Sequence, residues 1–226
     1  MNKDMTDEIK NLAISGEADL VGIADLRLLK GIFTYPSDLL KKYRYGISIA
    51  ISLDQFGHYD NETENRAFSL LDKIALSLKS NIEGRGYRAK IIPPDERVRE
   101  EGPLYWRGAI SHKAVAKTAG LGWIGKSMLL VTPKFGPRVC LVTALTDMAL
   151  TPDTPSKNMC GNCKECVKAC PVNALIETKF EDHPKKLKET FDVEKCGPWI
   201  DKTWDNGKIC YDCMLACPWG KHKGEN

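Results

Sequence analysis

Through the first two thirds of the chain, stretches of helical apolar spacing alternate with short β-branched runs. DEIKNLAIS has helical spacing, and Thr6 just before it is placed to cap a helix. DLVGIADL follows as a short buried strand or turn. YGISIAISLD predicts a central strand. In NRAFSLLDKIALSLKSNIEGRG, Phe68, Leu71, Ile74, Leu78 and Ile82 share one face of a long helix, which Gly84 or Gly86 should stop. YRAKIIPP is a strand halted by its prolines, and Ser111 is placed to cap HKAVAKTAG. SMLLVTP and RVCLVTALTD are two further strands. Strands alternating with helices predict a mixed α/β sheet. The pattern breaks at MALTPDTPSKN, a Pro, Asp and Ser stretch that reads as a domain boundary. Two domains are therefore expected, 1–153 and 154–226, α+β overall. In the second, HPKKLKET is a short basic run that reads as a solvated loop.

Composition narrows the class. Hydrophobic content of 42% and charged content of 28% are ordinary for a chain with a real core. A net charge of +3, from 33 basic and 30 acidic residues, points neither to nucleic acid nor to a membrane surface. The longest apolar stretches, such as Gly46 to Leu53, are too short to span a bilayer. The polar N-terminus lacks the apolar centre of a signal peptide, so a cytoplasmic protein without a membrane partner is expected.

In such a compartment nine cysteines point to metal before disulfides. The first 139 residues hold none, and eight of the nine follow Asn158. CGNCKECVKACP supplies Cys160, Cys163, Cys166 and Cys170 in the C-x₂-C-x₂-C-x₃-C-P spacing of bacterial ferredoxins. CYDCMLACP supplies Cys210, Cys213 and Cys217, with Cys196 as the upstream member. Three closely spaced thiolates wrap one face of a cubane, and the fourth, one turn later, reaches its neighbour. One cluster then takes Cys160, Cys163, Cys166 and Cys217, the other Cys170, Cys196, Cys210 and Cys213. Structural zinc is the competing reading, but zinc sites usually use separated pairs. Cys140, in an apolar strand, reads as a core thiol.

ISHKAVAKTAGLGWIGKSMLLVTPKFGPR crowds Gly120, Gly122 and Gly125 at a helix–strand junction, with Lys126 and Ser127 next. Glycines there permit a tight structural turn or close approach to a ligand. It is not a P-loop, because a helix and not a strand precedes it.

AGLGWIGK, the two cysteine groups and the CxxCxxxCPW ending together resemble the core of epoxyqueuosine reductases. More distantly, they are similar to the corrinoid and iron–sulfur part of reductive dehalogenases. The resemblance runs from about Tyr45 to Trp219. It implies a nitroreductase-like α/β domain that binds base-off cobalamin, followed by a bacterial-type two-cluster ferredoxin domain that reduces the cobalt. It further implies that Gly120, Leu121, Gly122, Trp123, Ile124, Gly125, Lys126 and Ser127 lie against the corrinoid. Where the tRNA-modifying members carry a catalytic Asp, this chain has Trp106, and His112 stands where a Glu usually follows. Those members continue into a helical-repeat domain that grips tRNA, whereas this sequence stops at Asn226. A nucleic-acid partner is therefore not expected.

Candidates for chemistry follow. His58 and Tyr59 come after a strand end, where sites on α/β sheets tend to lie, and the family has a Tyr–His pair nearby in the opposite order. Tyr105 and Arg97 could supply a proton or bind an anion, and His112 opens a helix. Lys126 follows the glycine turn directly, and Trp123 could stack on a corrin edge. The expected activity is reduction of a small molecule by a corrinoid iron–sulfur protein fed by a low-potential ferredoxin- or flavodoxin-type donor. The alternatives are an electron-transfer module for a partner enzyme without corrinoid and, behind it, tRNA epoxyqueuosine reduction.

Overall fold

The computed structural model describes residues 2–98, 108–176, 190–206 and 209–220. By contacts it forms two compact units. The first comprises Met1–Ile51, Arg66–Leu121 and Cys140–Ser156, the second Ser52–Asn65, Gly122–Val139 and Lys157–Asn226. Segments 52–65 and 122–139 thus group with the cysteine-rich residues.

The first unit is built on a sheet of four strands ordered β1-β2-β6-β3. These are β1 (Leu20–Asp25), β2 (Tyr45–Ser52), β3 (Ala89–Ile92) and β6 (Val139–Thr146). β1 runs antiparallel to β2 with Gly22 opposite Ser48, and β3 antiparallel to β6 with Ile91 opposite Ala144. Hydrogen bonds from Arg44 N to Thr146 O and from Leu53 N to Arg138 O, both 2.9 Å, bracket β2 and β6 in antiparallel sense as well. The sheet is thus antiparallel throughout, not the mixed sheet that alternation predicts. Short α2 (Leu39–Lys42) lies in the connection from β1 to β2, an antiparallel pair that needs no crossover helix.

Helix α3 (Asn61–Gly84) buries Ala67, Leu71, Ile74, Ala75, Leu78 and Ile82. Phe68 lies at the margin of this stripe and is half-buried. Asp60 starts the helix by accepting Thr63 N at 2.8 Å, and Gly86 lies beyond its end with φ 85°. Helix α1 (Asn2–Ser15) begins before Thr6, so Thr6 is not its cap. The buried Thr6 hydroxyl instead accepts Thr151 N at 2.8 Å. Ser111 does cap α4 (His112–Thr118), accepting Ala114 N at 3.3 Å. Cys140 is buried in β6.

The Pro- and Asp-rich stretch after β6 is tied down at Asp153 and Ser156. Asp153 accepts Lys10 Nζ at 2.7 Å and Ile23 N at 2.8 Å, and Ser156 Oγ donates to Gly120 O at 3.0 Å. Among the described residues no helix is long and apolar enough to cross a membrane.

Candidate iron–sulfur site

In the second unit, β4 (Trp123–Ile124) and β5 (Leu130–Val131) form a small antiparallel hairpin. SMLLVTP predicts a longer strand. It is shortened because Met128 takes φ 60° in a turn closed by Met128 N to Gly125 O, 2.9 Å. The glycines around β4 permit close packing. A Cβ on Gly122 would stand 2.1 Å from Val131 O, and one on Gly125 would stand 2.7 Å from Val131 Cγ2 and 3.4 Å from Cys160 Sγ. A methyl on Gly122 would have to displace backbone, and one on Gly125 the Val131 side chain.

This hairpin holds the first cysteine loop. Trp123, fully buried, donates its indole N–H to Cys160 Sγ at 3.4 Å and meets Trp219 edge-on at 4.8 Å. Lys126 Nζ donates to Gly161 O and Cys163 O, both at 2.8 Å. Asn158 donates Nδ2–H to Ile124 O at 2.9 Å and accepts Cys160 N at 2.9 Å. Of the expected corrinoid-contacting run, Gly122 to Ser127 belong to this unit, whereas Gly120 and Leu121 close α4 in the first unit.

Short helices carry many of the remaining cysteines. Cys166 is on α5 (Glu165–Ala169), Cys196 on α6 (Val193–Asp205) and Cys213 on α7 (Asp212–Leu215). Helix α5 packs on α7, and an isolated bridge pairs Leu175 with Phe191. Ala174 N–H donates to Cys170 Sγ at 3.2 Å.

The thiols fall into two electrostatic sets. Burial pushes Cys166 up to about 11, and nearby Cys160, Cys217 and Cys163 push it further in the same direction. Cys217 is raised by burial and by Cys160 and Cys163, against the lowering pull of the Trp219 N–H and Arg138. Burial likewise lifts Cys196 to about 11, with Cys170 and Cys210 as its thiol neighbours. Cys213 reaches about 12 through burial first and then Cys210, Cys166, Cys196 and Cys170. Apart from Cys166 beside Cys213, the thiol neighbours of each residue lie within one of two groups, Cys160, Cys163, Cys166 and Cys217 or Cys170, Cys196, Cys210 and Cys213. Such elevated thiols bind metal only by releasing protons. Among the described residues no three Cys, His, Asp or Glu groups gather as tightly as a single ion requires. The site also offers donors for thiolate sulfur. Beyond the N–H groups on Cys160 and Cys170, the buried Trp199 Nε1 finds no hydrogen-bond acceptor among the described residues. It lies near Cys210, whose pKa it lowers although burial raises that thiol overall. Four soft sulfurs per set with N–H donors around them fit a 4Fe–4S cluster.

Two features not singled out from sequence complete the unit. Arg138, almost fully buried, pairs with Asp54 at 2.8 Å and donates to Trp219 O at 3.3 Å and Gly220 O at 2.7 Å. Asn158 ties the loop to β4. A charged residue opening an apolar strand is the signal that marks Arg138 in PKFGPRVCLV.

The candidate proton carriers are dispersed. Tyr59 donates its hydroxyl to Asp54 and lies edge-on to Tyr211 at 5.8 Å, in the cysteine-bearing unit. His58 beside it is exposed. His112 lies in the first unit, with Nδ1 2.8 Å from Thr143 Oγ1 and Nε2 3.0 Å from Pro93 O. A carbonyl can only accept, so Nε2 carries the proton and Nδ1 accepts from the threonine hydroxyl. Burial of this ring drives its pKa down to about 4, although the residue keeps some surface. Arg97 lies in the first unit, and Tyr105 and Trp106 lie outside the described residues.

Residues 159–220 match the 4Fe-4S double cluster binding domain. The epoxyqueuosine reductase of Listeria monocytogenes is 43% identical over 134 residues, 57% of this chain and 34% of that protein. An epoxyqueuosine reductase solved with an epoxyqueuosine-modified tRNA stem loop superposes over 99% of this chain and 67% of its own, with TM-score 0.65 at 20% identity. A reductive dehalogenase whose structure is described in terms of B12-dependent dehalogenation superposes with TM-score 0.78 at 21% identity, over 99% of this chain and 32% of its own. The chain spans about a third of the length of the curated relatives it matches. The fold is α+β with a 4Fe–4S double-cluster domain in its C-terminal part. The chain is similar to epoxyqueuosine reductases and to reductive dehalogenases, the two families that AGLGWIGK and the cysteine spacing resemble.

Proposed function

We propose that the chain is a reductase that passes electrons through two 4Fe–4S clusters to a base-off cobalamin serving a small substrate. The observation that carries this is the division of the cysteine thiols into two interleaved sets within a matched double-cluster domain. A likeness to a B12-dependent dehalogenase supports the corrinoid. When bound, cobalamin would supply a strongly reducing cobalt centre to the substrate.

The chain's own residues would do the rest. On this reading residues 1–153 form the corrinoid part and 154–226 the cluster part. Gly120 to Ser127 would border the corrin, and within that run Trp123 and Lys126 fix the first cysteine loop. Tyr59, a hydroxyl already polarised by Asp54, suits proton delivery better than His112, whose two nitrogens are engaged. Eight cysteines spaced for clusters and not for disulfides suit a reducing compartment such as the cytoplasm, where a ferredoxin- or flavodoxin-type donor would supply electrons.

A second reading is favoured by one observation. A structurally similar epoxyqueuosine reductase was solved with a tRNA stem loop, which bears against excluding nucleic acid as a partner. Anaerobic metal analysis after expression with cobalamin tests the first reading: about eight irons and one cobalt per chain are expected. Iron without cobalt overturns it in favour of a corrinoid-free electron carrier. Turnover of epoxyqueuosine-containing tRNA establishes the second reading.

A further inference from the structure

We infer that Lys126 and Asp212 hold the two clusters at unequal potentials, the Cys160, Cys163, Cys166 and Cys217 set above the Cys170, Cys196, Cys210 and Cys213 set. Electrons then run from the second set to the first. The inference rests on the double-cluster domain and needs no corrinoid, so it survives failure of the cobalamin reading.

Reduction adds one negative charge to a cluster, and nearby charge decides how readily that happens. At the first set Lys126 presses its ammonium onto the cysteine loop, 2.8 Å from the carbonyls of Gly161 and Cys163. Carbonyls do not cancel its charge. Arg138 is a further cation on this side, but Asp54 at 2.8 Å offsets most of it. At the second set a carboxylate is in contact, with Asp212 Oδ2 3.6 Å from Cys210 Sγ. Among the described residues, Glu165 pairs with Lys168 at 2.8 Å and Asp192 with Lys195 at 3.7 Å, so these four charges largely offset one another.

Neutral donors do not explain a difference. Trp123 serves Cys160, while Ala174 serves Cys170 and Trp199 lies by Cys210. Each side therefore has N–H groups, whereas the charge in direct contact differs in sign: Lys126 on the loop of the first set, Asp212 on Cys210 of the second. Charged partners outweigh neutral ones at such distances. The step itself moves one electron from the second cluster, which is oxidised, to the first, which is reduced. No bond forms or breaks. A low-potential one-electron donor of ferredoxin or flavodoxin type replaces the electron.

The test is a redox titration of the iron-loaded full chain, followed by electron paramagnetic resonance. Two separate one-electron steps are expected. Lys126→Gln should lower the less negative step about tenfold in its equilibrium, equivalent to 59 mV for one electron. Lys126→Arg should restore it, which a purely positional role of Lys126 would not require. Asp212→Asn, at an exposed site, should raise the more negative step and narrow the gap. Coincident steps in the unaltered protein overturn the inference. So does a shift of the same step by both charge-removing variants, or an unchanged gap in Asp212→Asn.

Discussion

Arg138 and Asp54 form a 2.8 Å ion pair in which only 7% of the arginine side chain is exposed, against 38% of the aspartate. The guanidinium also holds the carbonyls of Trp219 and Gly220, so one cation fastens the chain just beyond Cys217. Arg138→Leu leaves these acceptors without their donor. A loss of about 2–3 kcal/mol is expected, read as a lower midpoint in chemical unfolding of the loaded protein. Asp54→Asn should cost less than half as much, because Asp54 keeps access to water. Equal losses from the two variants would mean that the pair, and not the carbonyl bonds, carries the stability.

The glycines of AGLGWIGK give a second contrast. A methyl on Gly122 would enter the carbonyl of Val131, whereas one on Gly84, at the end of α3, meets nothing within 4 Å. Gly122→Ala should destabilise by about 1–3 kcal/mol and loosen the hairpin. Gly84→Ala should be neutral or stabilise by up to about 1 kcal/mol through lost chain entropy. Thermal melts of the two variants side by side decide this.

Much of the helical structure and the cluster chemistry is legible in the sequence, because both depend on local spacing. Leu71, Ile74, Leu78 and Ile82 announce α3, and the x₂, x₂, x₃ spacing announces the clusters. Strand direction is not legible, since antiparallel pairing of β2 and β6 depends on how distant segments meet. The same holds for Thr6, whose hydroxyl serves Thr151 instead of capping its own helix. Lys126 and Trp123 stand out in the sequence as ligand candidates. Their grip on Cys160 and Cys163 appears only once the hairpin folds back onto a loop more than thirty residues later. Asp54 and Arg138 are 84 positions apart and no pattern joins them.

His112 makes the first unit sensitive to acid. Its folded pKa, about 4, lies below its ordinary value of 6.5. Between these values the unfolded chain takes up a proton that the folded ring refuses, so stability rises with pH through that window. The contribution is fully present above pH 6.5 and falls by up to about 3 kcal/mol as pH drops to 4. His112→Gln, which can still donate to Pro93 O and accept from Thr143, should flatten the dependence. The measurement is the difference in urea midpoint between variant and unaltered protein from pH 5 to pH 7. Parallel curves would remove His112 as the cause.

Interleaving makes the strongest claim about single cysteines. Cys170 lies in the same sequence motif as Cys160, Cys163 and Cys166, yet its thiol neighbours are Cys196 and Cys213. Cys217 belongs to the other motif, yet Cys160 and Cys163 are the thiols beside it. Cys170→Ser should therefore damage the cluster of Cys196, Cys210 and Cys213 and spare the one built on Cys160. Cys217→Ser should do the reverse. In each case iron should fall from about eight to about four per chain, with one of two reduction steps retained. The double variant Cys170→Ser, Cys196→Ser is the sharper test. If both residues serve one cluster, removing the second costs no further iron, because that cluster is already gone. Were each motif to hold its own cluster, the double variant would lose both, and the two-set arrangement would be wrong.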